Sequence, residues 1–535
     1  MRKRYLLLPL LVAIGFVATY YSQAIQSDIY PVGSYQLSCE NIVVESNSLT
    51  ANCETINGAY KLTTLSNLPG CLNSITRDGD IGNIDGSLMC LPDLPKVDTA
   101  ITFPEAEITI NDWVYNKKTT NIYQHAWGMW AGLTSFVGVA DDTQVRAFET
   151  WATINNILYQ IENLPANTSL QEMKALPMVK QSMKMDLSLP SRLKNKKSAA
   201  ITTPLEDGDT NIFVSVAYNP PAARHAISNK LLLQSTLNTF LKNGYTEIPN
   251  FPVNAITIKP VYKVISSENT VNGIYTFPGW PGTPTPAKPF PEKDWNNCVY
   301  VNITSTGSGG STIDEGCNNR NASNTFYLDN FIHQKINQQN AEYLSEQLSI
   351  TVSAGDYAIL VGMHVTSRET KRWTWQSFWW SANPAAPHLP SSNAMASQRP
   401  TEFLDAGAQH YALTVAYNMV SPAQPITGGE NVGASVIGYN PHLEAGFSPN
   451  DFHYSRKING TIDNQYGVQT NCMTCHNLAL YNPQTNYTEN DGANRETPYG
   501  TDYYMSITDP VFDNTLKLDF AWSILGGLKL DEPQP

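Results

Sequence analysis

Basic residues are scarce in this chain. Its 535 residues include 34 Lys and Arg against 47 Asp and Glu, which gives a formal net charge of −13, and no basic run follows residues 2–4. A nucleic-acid-binding surface needs clustered positive charge, so we expect no nucleic-acid partner. Charged residues of both signs make up only 15% of the chain, whereas hydrophobic residues make up 41%. This composition can bury enough apolar surface to fold, which argues against a largely disordered protein.

Long apolar runs are also absent beyond residue 21. The run at 5–21 follows the basic segment Met1-Arg-Lys-Arg4 and precedes Ser22-Gln-Ala24, whose small residues suit a signal peptidase. We therefore expect an export signal at 1–24, cleaved after Ala24, and a periplasmic or secreted protein. An uncleaved membrane anchor over the same run is the alternative.

Hydrolase motifs such as a nucleophile elbow, a phosphate loop or a zinc-protease helix are missing.

Cysteines are few but ordered. Two of the 8 belong to a motif described below, and the other six fall along the chain as three local pairs. An even number of cysteines in an exported chain indicates disulfides. Several connectivities are open to six cysteines, and we favour the local one, which pairs Cys39 with Cys53, Cys71 with Cys90, and Cys298 with Cys317.

Short β-type runs separated by Gly, Asn and Asp turns, such as 34–38 and 48–52, predict a small β module over residues 33–91. Its blocks occur in the order Gly33-Ser-Tyr-Gln-Leu-Ser-Cys39, Leu49-Thr-Ala-Asn-Cys53, Asn57-Gly-Ala-Tyr60 and Ile84-Asp-Gly-Ser-Leu88. These blocks resemble one repeat of the cyanovirin-N homology domain. That family normally joins two repeats, whereas one is found here, with an insertion around 68–81.

The resemblance implies a lectin-like module that could bind a glycan near the ends of the repeat. The positions that it indicates are Ser38, Glu54, Asn83 and Asp85. Asp85 has a second interpretation, because Asp-Gly is an ordinary turn pair.

A proline-rich linker is expected at 92–104, followed by a large mixed, β-rich domain over 105–455. Aromatic residues at helical spacing predict helices at 125–130 and 146–152, with Trp127, Trp130, Phe148 and Trp151 in the core. Runs of β-branched residues predict strands at 211–217, 255–265, 348–352 and 357–365. Six prolines over 277–291 predict a long loop.

The segment Asn471-Cys-Met-Thr-Cys-His-Asn477 contains Cys-x-x-Cys-His, the motif that attaches a c-type haem. Its two thiols lie on one side of a helical turn and can form thioethers with the haem vinyl groups, while the histidine binds the iron. We therefore expect one covalent haem c at Cys472, Cys475 and His476. A redox dithiol or a zinc site would also use Cys-x-x-Cys, but no second cysteine pair or thioredoxin-like pattern accompanies it.

The segment before the motif is polar and rich in turns, unlike the helix that opens a free-standing cytochrome. We therefore expect a haem c-binding segment at 456–535 that packs on the large domain. The expected fold class is α+β or mainly β, with the disulfide-bonded β module first, the large mixed domain next and the haem-binding segment last.

The distal iron ligand has several candidates in the sequence. Met505 is the only methionine after the motif, so it is the candidate that an electron carrier would use. His442 and His453 are the alternatives upstream. His364 is interpreted as a core histidine with its hydrogen bonds satisfied.

A second resemblance covers roughly residues 110–530. It is carried by Phe148-Glu-Thr-Trp151, Ile258-Lys-Pro-Val-Tyr262, Gly362-Met-His-Val365 followed by Trp373-Thr-Trp-Gln-Ser-Phe378, and the late Cys-x-x-Cys-His. These blocks resemble a large family of exported proteobacterial single-haem proteins of unassigned function, although Trp379 stands where that family often has Glu. The resemblance implies a haem protein and no particular activity.

Three functions follow from these patterns. The first is electron transfer with a redox partner protein, the lectin-like module being an appendage for docking or glycan binding. The second is a haem-dependent oxidoreductase with an open iron position. The third is a carbohydrate-binding protein in which haem is structural or sensory. The sixth iron ligand separates the first two, because two-ligand low-spin iron suits electron transfer and an open site suits catalysis.

Overall fold

A computed structural model gives the fold. It describes residues 30–31, 33–37, 39–55, 59–74, 80–84, 86–91, 94–95, 101–140, 143–163, 212–348, 350–421, 433–449, 457–458, 461–462, 466–487 and 504–533. The expected export signal, part of the expected linker, and Ser38, Asp85 and His453 lie outside these residues.

The strands of the described residues are, in chain order, β1 (Cys39–Val44), β2 (Ser48–Glu54), β3 (Tyr60–Ser66), β4 (Asp80–Ile84), β5 (Ser87–Leu91), β6 (Phe136–Ala140), β7 (Thr143–Arg146), β8 (Ala152–Thr153), β9 (Ile212–Val214), β10 (Ala217–Tyr218), β11 (Ile256–Ile265), β12 (Thr270–Val271), β13 (Ile274–Pro278), β14 (Asn297–Asn302), β15 (Asp314–Glu315), β16 (Thr325–Tyr327), β17 (His333–Lys335), β18 (Tyr357–Ser367), β19 (Thr374–Trp380), β20 (Tyr411–Val415), β21 (Val420–Ser421), β22 (Ala434–Ser435), β23 (Lys457–Ile458), β24 (Thr461–Ile462), β25 (Leu480–Tyr481) and β26 (Leu516–Lys517).

The helices of the same residues are α1 (Leu68–Ser74), α2 (Glu107–Tyr115), α3 (Thr119–Thr134), α4 (Ile154–Asn163), α5 (Pro220–Ser228), α6 (Gln234–Lys242), α7 (Gln338–Leu348), α8 (Asn393–Ala396), α9 (Pro441–Glu444), α10 (Cys472–Asn477) and α11 (Trp522–Gly526). The fold is thus mixed and β-rich, with antiparallel sheets predominating, as expected. Among the described residues, no helix has the length and apolar character needed to cross a membrane.

The N-terminal module consists of an antiparallel sheet, β1-β2-β3, and a β4-β5 hairpin. Leu49, Ala51 and Cys53 alternate with more exposed residues along β2, so one face of the sheet covers a small core that includes Tyr35. The favoured disulfides at Cys39–Cys53 and Cys71–Cys90 are confirmed, and so is Cys298–Cys317 in the large domain.

The large domain is built around one sheet in the order β20-β19-β18-β11-β10-β8, with β9 also beside β11 and β17 beside β18. Residues that pair directly across antiparallel strands point to the same side of a sheet, and successive residues alternate. The pairing of Ile258 with Val365, and of Val365 with Gln376, therefore defines one side, which we call the core face. The pairing of Lys259 with His364, and of His364 with Ser377, defines the other side, which we call the site face.

The core face is buried by α3. The ring centroids of Trp130 on α3 and Phe378 on β19 lie 4.3 Å apart in a stacked arrangement. Trp127 also contacts Phe378, and both tryptophans are fully buried. Phe148 and Trp151 lie in the same core, which confirms the interpretation of these four aromatic residues.

The site face is covered by α9, α10 and the chain after residue 504. A second core joins this C-terminal stretch to α4, α5 and α6, and it includes Met473 next to the first cysteine of the motif. Parallel bridges between Leu233 and Lys529 and between Glu247 and Lys517 fix the stretch to the rest of the domain. The helix α10 is therefore an integral part of this second core.

Three local predictions are wrong. Residues 146–152 form a single 3-10 turn at Ala147–Thr150 between two strands, because the carboxylate of Glu149 accepts a hydrogen bond from the backbone N–H of Arg146 and closes the turn. Of the predicted strand at 348–352, Leu348 ends α7 and the described residues 350–352 are irregular. There the Val352 N–H donates to the Ser345 hydroxyl, so this backbone group bonds to a side chain and not to a neighbouring strand. The segment at 34–38 begins with a 3-10 turn instead of a strand.

Candidate functional site

The Cys-x-x-Cys-His motif forms the short helix α10, whose start is capped by an asparagine side chain. The side-chain oxygen of Asn471 caps the helix by accepting from the Thr474 N–H at 3.0 Å. Its side-chain nitrogen donates to the carbonyl oxygens of Asn418 at 3.0 Å and Val436 at 2.7 Å. Asn471 therefore starts the helix and fixes it to the adjoining chain, as expected of an asparagine at an N-cap.

Cys472 and Cys475 are free thiols, whereas the other six cysteines form disulfides. Both remain partly exposed, and the Cys472 thiol donates to the carbonyl of Gly438 at 3.2 Å. Burial raises the pKa of Cys472 well above its usual range and that of Cys475 to about 12, and the charge of Glu444 acts in the same direction. A redox-active dithiol needs a lowered pKa, so this environment does not favour that chemistry.

The imidazole of His476 is oriented by a backbone carbonyl. Its Nδ1 donates to the carbonyl oxygen of Phe520 at 2.8 Å, which leaves the lone pair on Nε2. Burial lowers the pKa of His476 to about 3, so the ring is neutral at physiological pH. The ring also packs against Trp375 of the site face, with centroids 4.2 Å apart. A neutral ring anchored through one nitrogen is the form in which histidine binds a metal.

The Phe520 carbonyl is presented by an unusual turn. Asp519 and Phe520 have φ angles of 45° and 66°, a region that non-glycine residues adopt at a cost and keep only when their surroundings hold them. The buried carboxylate of Asp519 accepts from Arg368 Nε at 3.0 Å and from the Phe251 N–H at 2.8 Å. Burial raises the pKa of Asp519 to about 6, although Arg368 opposes this shift. The Asp519–Arg368 pair thus clamps the turn that orients His476.

A second ionisable group lies on the site face near the motif. His364 Nε2 is 2.8 Å from the Glu444 carboxylate, and the two side chains are 14% and 17% exposed. The other Glu444 oxygen accepts from the Asn440 N–H at 2.6 Å. Burial alone would raise the pKa of Glu444, but the charges of His364 and Lys259 and these hydrogen bonds lower it overall. Burial lowers the pKa of Lys259, which pairs with His364 across the strands.

The other predicted iron ligands have different environments. Met505 is buried in the second core, where its N–H contacts the sulfur of Met419 at 3.4 Å and its carbonyl accepts from Arg372 at 3.1 Å. His442 is buried beside Glu292, with 2.5 Å between Nδ1 and the carboxylate.

Of the predicted glycan-binding residues, the structure brings Glu54 and Asn83 together. The Asn83 side chain donates to the Glu54 carbonyl at 2.9 Å and accepts from the Gly86 N–H at 2.8 Å. Asn83 therefore holds the β4-β5 turn against the end of β2.

The residues fit a c-type haem in donor chemistry. Such a haem requires two thiols and a neutral imidazole, together with a group such as a carbonyl that orients the imidazole. Three buried polar atoms on or beside the site face also have no hydrogen-bond partner in the described part of the chain: Thr366 Oγ1, Thr414 Oγ1 and Asn477 Nδ2. Among the described residues, no group of three or more His, Cys, Asp and Glu side chains is arranged to hold a metal ion.

The three motif residues were predictable from the sequence, but the residues around them were not. The Phe520 carbonyl has no sequence signal, since any residue has a carbonyl. The His364–Glu444 pair had a partial signal in the Gly362-Met-His-Val365 strand, whereas its carboxylate partner is 80 residues away. Comparison with protein-family models, with curated proteins and with solved structures found no match to this chain.

Proposed function

We propose that this protein is an exported c-type cytochrome that carries one haem, attached to Cys472 and Cys475 and ligated by His476, and that it transfers electrons to or from a partner protein. The observation that carries the proposal is the hydrogen bond from His476 Nδ1 to the Phe520 carbonyl. It leaves Nε2 as the lone-pair nitrogen of a neutral ring that lies beside two free thiols.

Bound haem supplies a one-electron iron couple. The chain's own residues hold and orient the ligand for it. The Phe520 carbonyl sets the tautomer of His476, and Trp375 packs against the ring so that it cannot rotate freely. The Asp519–Arg368 pair keeps the Phe520 turn in place. Fixed ligands reduce the rearrangement that accompanies a change of oxidation state, which suits electron transfer.

The test is expression in a host with a c-type maturation system, followed by a pyridine haemochrome assay and a haem stain after denaturing electrophoresis. Thioether-linked haem remains on the chain after unfolding, so the wild type should stain. The double variant Cys472→Ala/Cys475→Ala should not stain, whereas the matched variant Cys298→Ala/Cys317→Ala should. A stain that persists without Cys472 and Cys475, or no haem in the wild type, would refute the proposal.

A haem-dependent oxidoreductase is the second candidate. It is favoured by His364 and Lys259 on the site face and by Glu444 on α9, which are groups able to hold or move a proton. The spin state of the iron separates the two functions, because five-coordinate high-spin iron in the resting protein would favour catalysis.

The N-terminal module is proposed to be a lectin-like appendage that docks the protein or binds a glycan weakly. Its support is the resemblance to one cyanovirin-N homology repeat and the Cys39–Cys53 disulfide within that repeat. Two results together would favour a different function: the module binds sugar, and the haem cannot be reduced. A carbohydrate-binding protein with a structural or sensory haem would then be the better description.

A further inference from the structure

His364 on the site face and His476 on α10, which packs against that face, share one feature. His476 is anchored through Nδ1 by the Phe520 carbonyl, and His364 is anchored through Nε2 by the Glu444 carboxylate. Within the described part of the chain, the remaining nitrogen of each ring has no hydrogen-bond partner. A metal-binding histidine typically donates its other N–H to a carbonyl or a carboxylate, and these two histidines have one acceptor of each kind.

A histidine that only fills the core of this protein is arranged differently. His125 is 1% exposed, and both of its nitrogens have partners, Tyr417 at 2.7 Å and Glu369 at 3.1 Å. His364 keeps 14% of its side chain exposed and uses one nitrogen. The interpretation of His364 as a satisfied core residue therefore describes His125 better.

The sheet places His364 close to the motif. His364 on β18 pairs with Ser377 on β19, and Trp375, which packs against His476, is two residues before Ser377 on the same face. Diagonal neighbours of this kind are about 7–8 Å apart across a sheet. The buried hydroxyl of Thr366, paired with Trp375 and two residues after His364, adds an unpartnered polar atom to the same patch.

The position of His364 is also fixed indirectly, through contacts made by its hydrogen-bond partner Glu444. Asn440, at the start of α9, donates from its side chain to the Ser377 hydroxyl at 3.0 Å and from its backbone to Glu444 at 2.6 Å. One asparagine thus ties the carboxylate that holds His364 to the strand beside it. Such support restricts an imidazole to one orientation, which is what ligation requires.

We propose that His364, positioned by Glu444, would be the second protein ligand of the iron, so that two histidines of the chain would hold it. This inference rests on the proposed function and specifies its sixth ligand. Glu444 is a positioning residue, which acts through His364. Met505 is the competing ligand.

The test uses the purified full-length holoprotein, with haem content measured first by pyridine haemochrome. The wild type should be low-spin in both oxidation states and lack the near-infrared band of methionine-ligated ferric haem. His364→Ala should retain covalent haem but become high-spin, and added imidazole should restore the low-spin spectrum. Met505→Leu, the matched control, should leave the spectrum unchanged.

Two further variants keep the test decisive if His364→Ala accumulates poorly. His364→Met should introduce the near-infrared methionine band. Glu444→Gln should raise the reduction potential, because a carboxylate makes the ligating imidazole more electron-donating and stabilises the ferric state. A purely structural role for Glu444 would lower stability and leave the potential unchanged.

The possible failures are distinguishable. A wild type without covalent haem would remove the proposed function. Haem-containing protein whose spectrum is unaffected by both His364 substitutions, or a wild-type near-infrared band that Met505→Leu removes, would overturn only the assignment of His364.

Discussion

The indole of Trp375 and the imidazole of His476 are packed together, with ring centroids 4.2 Å apart and planes inclined by 39°. A hydrogen bond fixes the orientation of the Trp375 ring, because its Nε1 donates to the Arg372 carbonyl at 2.9 Å. The central sheet therefore supplies a rigid surface against which the motif helix is placed.

Replacing Trp375 by Ala should destabilise the protein strongly. The side chain is 4% exposed, and truncating a buried tryptophan typically costs about 3–5 kcal/mol. Trp375→Phe should cost less, since an aromatic ring remains beside His476. Urea unfolding would measure the loss, with Tyr245→Ala as the control because Tyr245 is 53% exposed. A loss for Trp375→Ala no larger than the control's would show that this packing does not support the fold.

Glu292 should be essential to a buried ionic cluster. Its carboxylate lies 2.7 Å from Lys263 Nζ and 2.5 Å from His442 Nδ1, and the three side chains are 4%, 0% and 2% exposed. Glu292→Gln deprives a buried ammonium of its carboxylate, which costs about 3–5 kcal/mol. The double variant Lys263→Met/Glu292→Gln should recover part of that loss in chemical denaturation. If the double variant is less stable than the single, buried charge is not the cause.

His225 should make the protein sensitive to mild acid. Burial lowers its pKa below 6.5, against the favourable hydrogen bond to the Pro249 carbonyl at 2.8 Å. As the pH falls below 6.5, the unfolded chain binds a proton that the folded chain does not, so the free energy of unfolding decreases until the folded pKa is reached. The loss is about 1.4 kcal/mol for each tenfold difference in proton affinity between the unfolded and the folded chain. His225→Gln should have a flatter stability profile between pH 7 and 5, and an unchanged slope would contradict this assignment.

The Cys39–Cys53 disulfide should stabilise the N-terminal module independently of the large domain. We expect residues 25–95 expressed alone to fold with both disulfides formed. The disulfide spans 14 residues, so its removal by Cys39→Ala/Cys53→Ala should cost about 3 kcal/mol in the loop-entropy model. Thermal unfolding of the fragment measures this cost. Met89 and Leu91 of the module pack with Val145 of β7. A fragment that is unfolded with both disulfides intact would show that the module depends on such contacts with the rest of the chain.

Sugar binding by that fragment should be weak and should depend on Asn83. Because the Asn83 side chain bridges the Glu54 carbonyl and the Gly86 N–H, Asn83→Ala should disturb the turn as well as any sugar contact. Circular dichroism of the variant must therefore accompany titration with sugar. A glycan array that is blank at millimolar sugar, with the fragment folded, would leave the module a docking domain.

Patterns that depend on neighbouring residues could be predicted from the sequence, and those that depend on distant ones could not. The long strands at 255–265 and 357–365 and the three disulfides were predictable, because β-branched runs and cysteine spacing are local signals. The turn at 146–152 was not predictable. The aromatic residues there have helical spacing, but the hydrogen bond from the Arg146 N–H to the Glu149 carboxylate closes a 3-10 turn instead. At the site, Cys-x-x-Cys-His was evident, but the groups that orient it come from Trp375 and Phe520, which are adjacent to it only after folding.

The two faces of the central sheet cannot vary independently. His364 and Val365 are consecutive, one on each face, and the same holds for Ser377 and Phe378. Deleting a single residue within β18 would slip its register by one position and exchange the two sets of side chains, so that a histidine entered the dry core and a valine took its place opposite Glu444. Insertions and deletions should therefore be confined to the loops, while β11, β18 and β19 keep constant length.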